Sequence, residues 1–368
     1  MKKILATVFI LACALLGCNK DESVKICITE NFFNEYPTRN FQMGFSTWIY
    51  APSQESKDDT YRFIGKNSDI YSEHIDDKIP WDAWINNTVL PAEFTDDIAS
   101  RASNKISNSQ LVVSIGLLNG DRSNLAEDFD ENPPSYTALN DQKIEDAYFK
   151  HVKYIIDALQ PNYLVIAIEA NELKIKSPSK WDNYKSLIAA VKARVKQANP
   201  NLKISESITL HTLYQPDVSN PEEYITEIVD YANQLDFVSI SYYPFFKNQH
   251  SKAEFQQAFD FLHSKINKPI AFVETSHIAE DLSVTSFDLF IPGNTCEQNT
   301  YLETLLTNAQ KENYEFVIWW AHRDFDALWN TFPEEAKDLG KIWRNTGLLD
   351  DQGNERPAYS TWKHVFDK

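Results

Sequence analysis

The feature that most constrains this chain is an alternation. Short apolar runs recur from residue 43 to residue 320, and amphipathic stripes of helical period lie between the later ones. The runs are 43–49, 69–73, 110–116, 163–169, 203–208, 236–241, 269–274 and 315–320. The spacing predicts helices over 141–159 (Ile144, Tyr148, Val152, Ile155, Leu159 on one face), 181–198, 221–234, 252–266, 297–312 and 357–366. Strands that are apolar throughout, each followed by a helix, belong to a parallel sheet covered on both faces. Eight such units predict closure into a single (β/α)8 TIM barrel of class α/β over residues 39–368. The rival, a doubly wound open sheet, wants a Gly-rich turn after its first strand, and Gly44-Phe45-Ser46 is not one.

The N-terminus reads differently. Lys2 and Lys3 precede the apolar run 4–16, and Leu15-Leu16-Gly17-Cys18 has the form of a bacterial lipobox. Residues 1–17 are therefore expected to be a signal peptide, with Cys18 lipidated and 18–38 a polar tether. Asn19 rather than Asp follows the cysteine, so the expected location is an outer membrane, reached through the lipid anchor alone. Cys27 and Cys296 remain and can pair in an exported protein; the sequence leaves that open. No Cys/His cluster suggests a metal, and no cofactor motif is present. The net charge of −18, more negative still without Lys2 and Lys3, excludes nucleic acid as a partner. A monomer is expected.

In barrels of this kind the chemistry sits at the C-terminal ends of the strands. The fourth run ends Ile168-Glu169-Ala170-Asn171-Glu172, and the seventh ends Val273-Glu274-Thr275-Ser276-His277. Two glutamates facing each other across the mouth suit retaining glycoside hydrolysis, where one gives a proton and the other attacks the anomeric carbon. The alternative is a pair of solvated carboxylates, since 53 acidic residues make any single one uninformative.

On Asn171-Glu172 and Glu274 the sequence resembles glycoside hydrolase clan A. The resemblance implies Glu172 as acid/base, Glu274 as nucleophile, and Asn171 bonded to the sugar 2-hydroxyl. Tyr242-Tyr243-Pro244 after the sixth run resembles the clan's tyrosine that holds the nucleophile ionised. Trp319-Trp320 after the eighth resembles its aromatic platform. Trp48 and His211 are further candidates for sugar contact. His74, Asn119, Asp121, His277, His322 and Asp324 are polar groups near the mouth. Within the clan, residues 236–244 and 273–276 look most like family 53, the endo-β-1,4-galactanases. The second and third strand ends, Tyr71-Ser72-Glu73-His74 and Leu117 to Asp121, depart from that family. The expected substrate is a neutral β-linked oligosaccharide or polysaccharide, because Arg122 and Arg323 each have an aspartate beside them (Asp121, Asp324). The competing readings are a glycan-binding barrel without turnover and a metal-dependent hydrolase. The first is disfavoured by the two glutamates, the second by a first strand that offers no ligands.

Overall fold

The computed structural model describes Cys27 and residues 35–368. The signal peptide, Cys18 and most of the tether lie outside the described residues. One parallel sheet forms the barrel: β1 (Gln42–Ser46), β2 (Ile70–Ile75), β3 (Gln110–Ile115), β4 (Tyr163–Val165), β5 (Lys203–Ser205), β6 (Ser207–Thr209), β7 (Val238–Tyr242), β8 (Ile270–Thr275) and, last in the chain, β11 (Phe316–Trp319). Their order is β5-β4-β3-β2-β1-β11-β8-β7-β6. The predicted strand 203–208 is thus two pieces divided at Glu206. That residue turns away from the barrel, its carboxylate held by the hydroxyls of Tyr184 and Tyr231 on the surrounding helices. The chain on either side stays bonded to the fourth strand's extension: Ile166 N–H donates to Ser205 and Ser207 N–H to Ala167. β5 and β6 are therefore one stave, and the barrel closes with eight.

The interior is filled by Ile70, Val112, Tyr163, Val165, Phe237, Ala271, Val273, Phe316 and Ile318. The staves approach closely: a Cβ on Gly44 would fall 1.7 Å from the carbonyl oxygen of Ile70, so only glycine fits there. The predicted helices appear as Gln142–Leu159, Trp181–Ala198, Pro221–Ala232, Lys252–Lys265, Thr295–Glu312 and Pro357–Phe366. All five residues of the predicted 141–159 stripe are buried, each worth about 1.5–3 kcal/mol of apolar transfer. Cys27 and Cys296 form a disulfide, tying the N-terminal segment to the first turn of the helix Thr295–Glu312.

Two structures over the mouth were not foreseen. The connection after β8 carries a hairpin, β9 (Leu282–Val284) with β10 (Leu289–Ile291). The connection after β11 carries two short helices, Asp326–Trp329 and Glu334–Arg344. They share a small core, in which Ile278, Leu282, Val284, Ile291 and Ile342 pack with Tyr243 and Trp320. The loop that follows is locked to the start of the connection after β11 by Arg356, whose guanidinium grips both carboxylate oxygens of Asp324 at 2.8 and 2.6 Å. Asp324 is thus a structural anchor rather than a group free to meet a sugar.

Candidate active site

Glu274 reaches the mouth through a bulge. On β8, Ala271 and Val273 face the interior, so strict alternation would send Glu274 outward. The register against β7 instead slips, from Ile240 opposite Phe272 to Ser241 opposite Glu274. The extra residue re-aims the side chains. Thr275 turns outward to bond the carbonyl of Tyr242 and the hydroxyl of Tyr301, and Glu274 turns in. Its Oε1 accepts from the hydroxyl of Tyr243, and its Oε2 lies 3.6 Å from Nδ1 of His74. Burial, and then the negative charge of Glu169, push its carboxyl up to about 8, with the Tyr243 hydrogen bond acting in the opposite direction.

The carboxylate that acts on Glu274 is thus Glu169. It lies four residues beyond β4, at the N-cap of the helix Ala170–Lys176 and in the left-handed region (φ 53°). A non-glycine residue there is strained, a condition common at functional sites. Its amide donates to Ser207 Oγ at 2.7 Å. Its Oε1 accepts from Ser241 Oγ at 2.8 Å, and its Oε2 meets Nε and Nη2 of Arg122, both at 3.1 Å. The same guanidinium binds Asp76 at 3.1 and 2.6 Å. Arg122 is therefore paired with Asp76 and Glu169, not with its neighbour Asp121, whose carboxylate is taken up by Ser123.

Glu172 and Asn171 sit beyond, on the helix Ala170–Lys176. Glu172 turns toward Thr209 and Thr212 at the end of the fifth stave, and burial raises its pKa. Asn171 is fully buried. Its Oδ1 accepts from the Thr209 amide at 2.7 Å, while its Nδ2 donates to the Thr209 carbonyl at 3.3 Å and the Tyr224 hydroxyl at 2.9 Å. With these bonds it ties the helix to the fifth stave, and the expected bond to a sugar hydroxyl is not available to it. Tyr242 departs from expectation too, being packed in the core with its hydroxyl on Gln249. Tyr243, the next residue, is the one on Glu274. Of the tryptophan pair, Trp319 is a core residue bonded to the Thr346 carbonyl, and Trp320 is at the mouth. There it packs on Trp48 (5.3 Å between ring centroids) and on the edge of His74 (5.1 Å). His211 is held neutral by burial, its pKa lowered to about 3, with its ring against Phe246. His277 lies in the core, bonded to the carbonyl of Ile278.

Beside His74, Trp48 and Trp320 opens a cavity of about 340 Å³. Its outer end is formed by Lys57 and Arg101, from the helices after β1 and β2. The sequence reading placed no such cations near the strand ends. They come from connections far from the strand-end motifs, and only the fold brings them there. Arg101 is matched by Glu73 at 2.6 Å and Asp97 at 2.7 Å.

Known proteins share this architecture. A GH5_18 enzyme of Bifidobacterium longum subsp. longum, solved in complex with Manb1-4GlcNAc, superposes with a TM-score of 0.62 at 16% identity, over 89% of this chain and 78% of that one. The GH53 catalytic domain of Ignisphaera aggregans gives 0.56 at 16% identity, over 91% and 93%. A fungal beta-1,4-galactanase gives 0.59 at 12% identity, over 89% and 100%. At these identities the likeness is one of fold. A comparison with curated protein sequences gave no match. Residues 130–361, more than half of the chain, match the profile of Glycosyl hydrolase family 53. With that match, a TIM barrel and two opposed carboxylates at its mouth, the chain is a glycoside hydrolase that belongs to family 53.

Proposed function

We propose that the protein is a retaining glycosidase of neutral β-linked glycans, with Glu274 as nucleophile and Glu169, rather than Glu172, as acid/base. The observation that carries this reading is that Glu169 accepts from Ser241 Oγ at 2.8 Å and Ser241 is the register partner of Glu274, which brings the two carboxyl groups to one place at the mouth. A retaining mechanism uses such a pair with one carboxyl giving a proton to the leaving oxygen and the other attacking C1. In the first step Glu169 gives its proton to the glycosidic oxygen as the C1–O bond breaks, and a carboxylate oxygen of Glu274 bonds to C1. In the second, water gives a proton to the Glu169 carboxylate and its oxygen displaces Glu274 from C1. Tyr243 favours the charge on Glu274, and Arg122, its own charge met by Asp76, holds Glu169 in place. Arg101 and Arg122, each matched by two carboxylates, and the packed rings of Trp48 and Trp320 suit hydroxyl groups rather than an anionic sugar. The test is initial rates on galactan, mannan, xylan and β-glucan against polyuronate and sulfated glycans, with proton NMR of the first product anomer. Cleavage of a neutral glycan with retention is expected. Inversion, or preference for a polyanion, contradicts the reading.

The lipobox supports export and anchoring through Cys18 to an outer membrane. Cys18→Ser is expected to move the protein out of the membrane fraction, and unchanged fractionation with normal mature size contradicts it.

A further inference from the structure

We infer that the barrel is tethered by its catalytic end, and that the outer face of the hairpin β9–β10, with Phe287 and Phe290 exposed on it, docks on a zwitterionic lipid surface. The inference rests on the lipid anchor at Cys18 proposed above. The anchoring point follows from the disulfide. The helix Thr295–Glu312 runs from the mouth of the barrel to its base. In its first turn Glu297 lies 3.3 Å from Nε2 of His277, just beyond the end of β8. At its far end Gln310 and Asn313 bond Asn40, where the chain enters β1. The 18 residues between these ends span about 27 Å. Cys27 is bonded to Cys296, at the mouth end. It follows Cys18 by nine residues, which reach about 30 Å at most, so a lipid on Cys18 holds the mouth end within that distance of the membrane. Without the disulfide the fold would hang from Asn40 at the base, on a stretch that reaches about 75 Å.

The hairpin lies at the same end, since β10 stops four residues before the helix begins. Its inner face, with Leu282, Val284 and Ile291, packs with Tyr243 and Trp320. Phe290 alternates with Ile291 and points the other way, 62% exposed, and Phe287, in the turn between the two strands, is 65% exposed. Only four large hydrophobic side chains are exposed among the described residues, and a third of them, Leu339, belongs to this rim. It follows Asp338, whose carboxylate takes the amides of Thr285 and Ser286 in the same turn. Exposed aromatic rings at the tip of a turn suit the boundary between headgroups and acyl chains. Three apolar side chains bind a membrane weakly by themselves, but a short tether keeps them at high local concentration beside it. Asp281 and Asp288 on the hairpin, and the net charge of −18, disfavour an anionic surface. The docking face points away from Tyr243 and Trp320, so lipid held on it does not meet either residue.

In the experiment, the chain from Cys18 onward, with Cys27 and Cys296 paired, is coupled through its Cys18 thiol to phosphatidylcholine–phosphatidylethanolamine vesicles that carry sparse maleimide headgroups. This coupling tests the docking independently of lipidation in the cell, which mass spectrometry of the membrane-extracted protein decides separately. Hydrogen exchange is then compared on and off the vesicle. Exchange at 282–291 is expected to slow by roughly threefold or more, at low and high salt alike, with no change at 199–203 at the base. Phe287→Ser/Phe290→Ser, which alters exposed side chains alone, is expected to lose this protection. Cys27→Ser/Cys296→Ser is expected to lose it too, because its tether leaves from the base, with near-UV circular dichroism checking that the variant is folded. Equal exchange at 282–291 on and off the vesicle overturns the docking, as does protection at the base or protection that Phe287→Ser/Phe290→Ser retains. A wild type that sediments as a dimer without lipid, beside a monomeric Phe287→Ser/Phe290→Ser, assigns the patch to a second copy and also overturns it.

Discussion

Tyr243 donates its hydroxyl to Glu274 from the end of the neighbouring stave, and it is the one hydrogen bond that draws the pKa of that carboxyl down against burial and the charge of Glu169. Removing it in Tyr243→Phe raises the Glu274 pKa further, so a smaller fraction is ionised at any given pH. The acidic limb of the kcat/KM profile is expected to move to higher pH. A hydrogen bond to a charged group is worth about 1.5–3 kcal/mol, so the rate near neutrality is expected to fall by roughly 10- to 100-fold. An unmoved acidic limb contradicts the role given to Tyr243.

Arg122 holds two carboxylates together in a nearly buried site. Arg122→Met leaves Asp76 and Glu169 unpaired beside each other. Breaking a buried pair on one side typically costs about 3–5 kcal/mol. The expected result is a loss of that order in urea unfolding together with a drop in kcat, and Arg122→Lys recovers part of the stability without the two-pronged hold on Glu169. A stable, fully active Arg122→Met variant contradicts the clamp.

Much of the barrel is legible in the sequence because strands buried on both faces must be apolar along their length, and 110–116 or 269–274 can hardly be anything else. Glu169 closes the fourth apolar run, but its aim into the mouth rests on a left-handed turn past the strand that no alternation announces. The Asn171-Glu172 pair drew attention past it, and both of those residues belong to the next helix, not the strand. The inward turn of Glu274 is not legible, because it depends on a register slip at Val273 that no alternation announces. Nor is the pocket. Its walls come from short helices such as Asp326–Trp329, too brief to show a period, and from cations on distant connections.

The raised pKa of Glu274 also acts on stability. The folded state holds this proton up to about pH 8 and the unfolded chain only to about 4.5. The folded state therefore binds more protons between those values, and stability falls as pH rises through that window. Glu274→Gln, which cannot ionise, is expected to be close to wild type in Tm below pH 4.5. Above pH 8 it is expected to be more stable, by on the order of 1–3 kcal/mol or a few degrees. Melting curves across pH check this, and a difference that does not grow with pH contradicts it.

The disulfide Cys27–Cys296 closes a long loop between the N-terminal segment and the helix Thr295–Glu312. Cys296→Ser is expected to cost about 2–4 kcal/mol in denaturant unfolding with little change in kcat, since neither cysteine lines the cavity beside His74, Trp48 and Trp320. Non-reducing peptide mapping that recovers both thiols free contradicts the pairing.

The most direct test of the central claim separates Glu169 from Glu172 by azide rescue. With an activated aryl β-glycoside, a variant without its acid/base still forms the glycosyl-enzyme but resolves it slowly, and azide resolves it to a β-glycosyl azide. Glu169→Ala is expected to lose turnover on polysaccharide, to keep the first step on the aryl glycoside, and to be rescued by azide with retention. Glu172→Ala is expected to stay near wild type and to show no rescue. The reverse pattern, with rescue in Glu172→Ala and an active Glu169→Ala, contradicts the account.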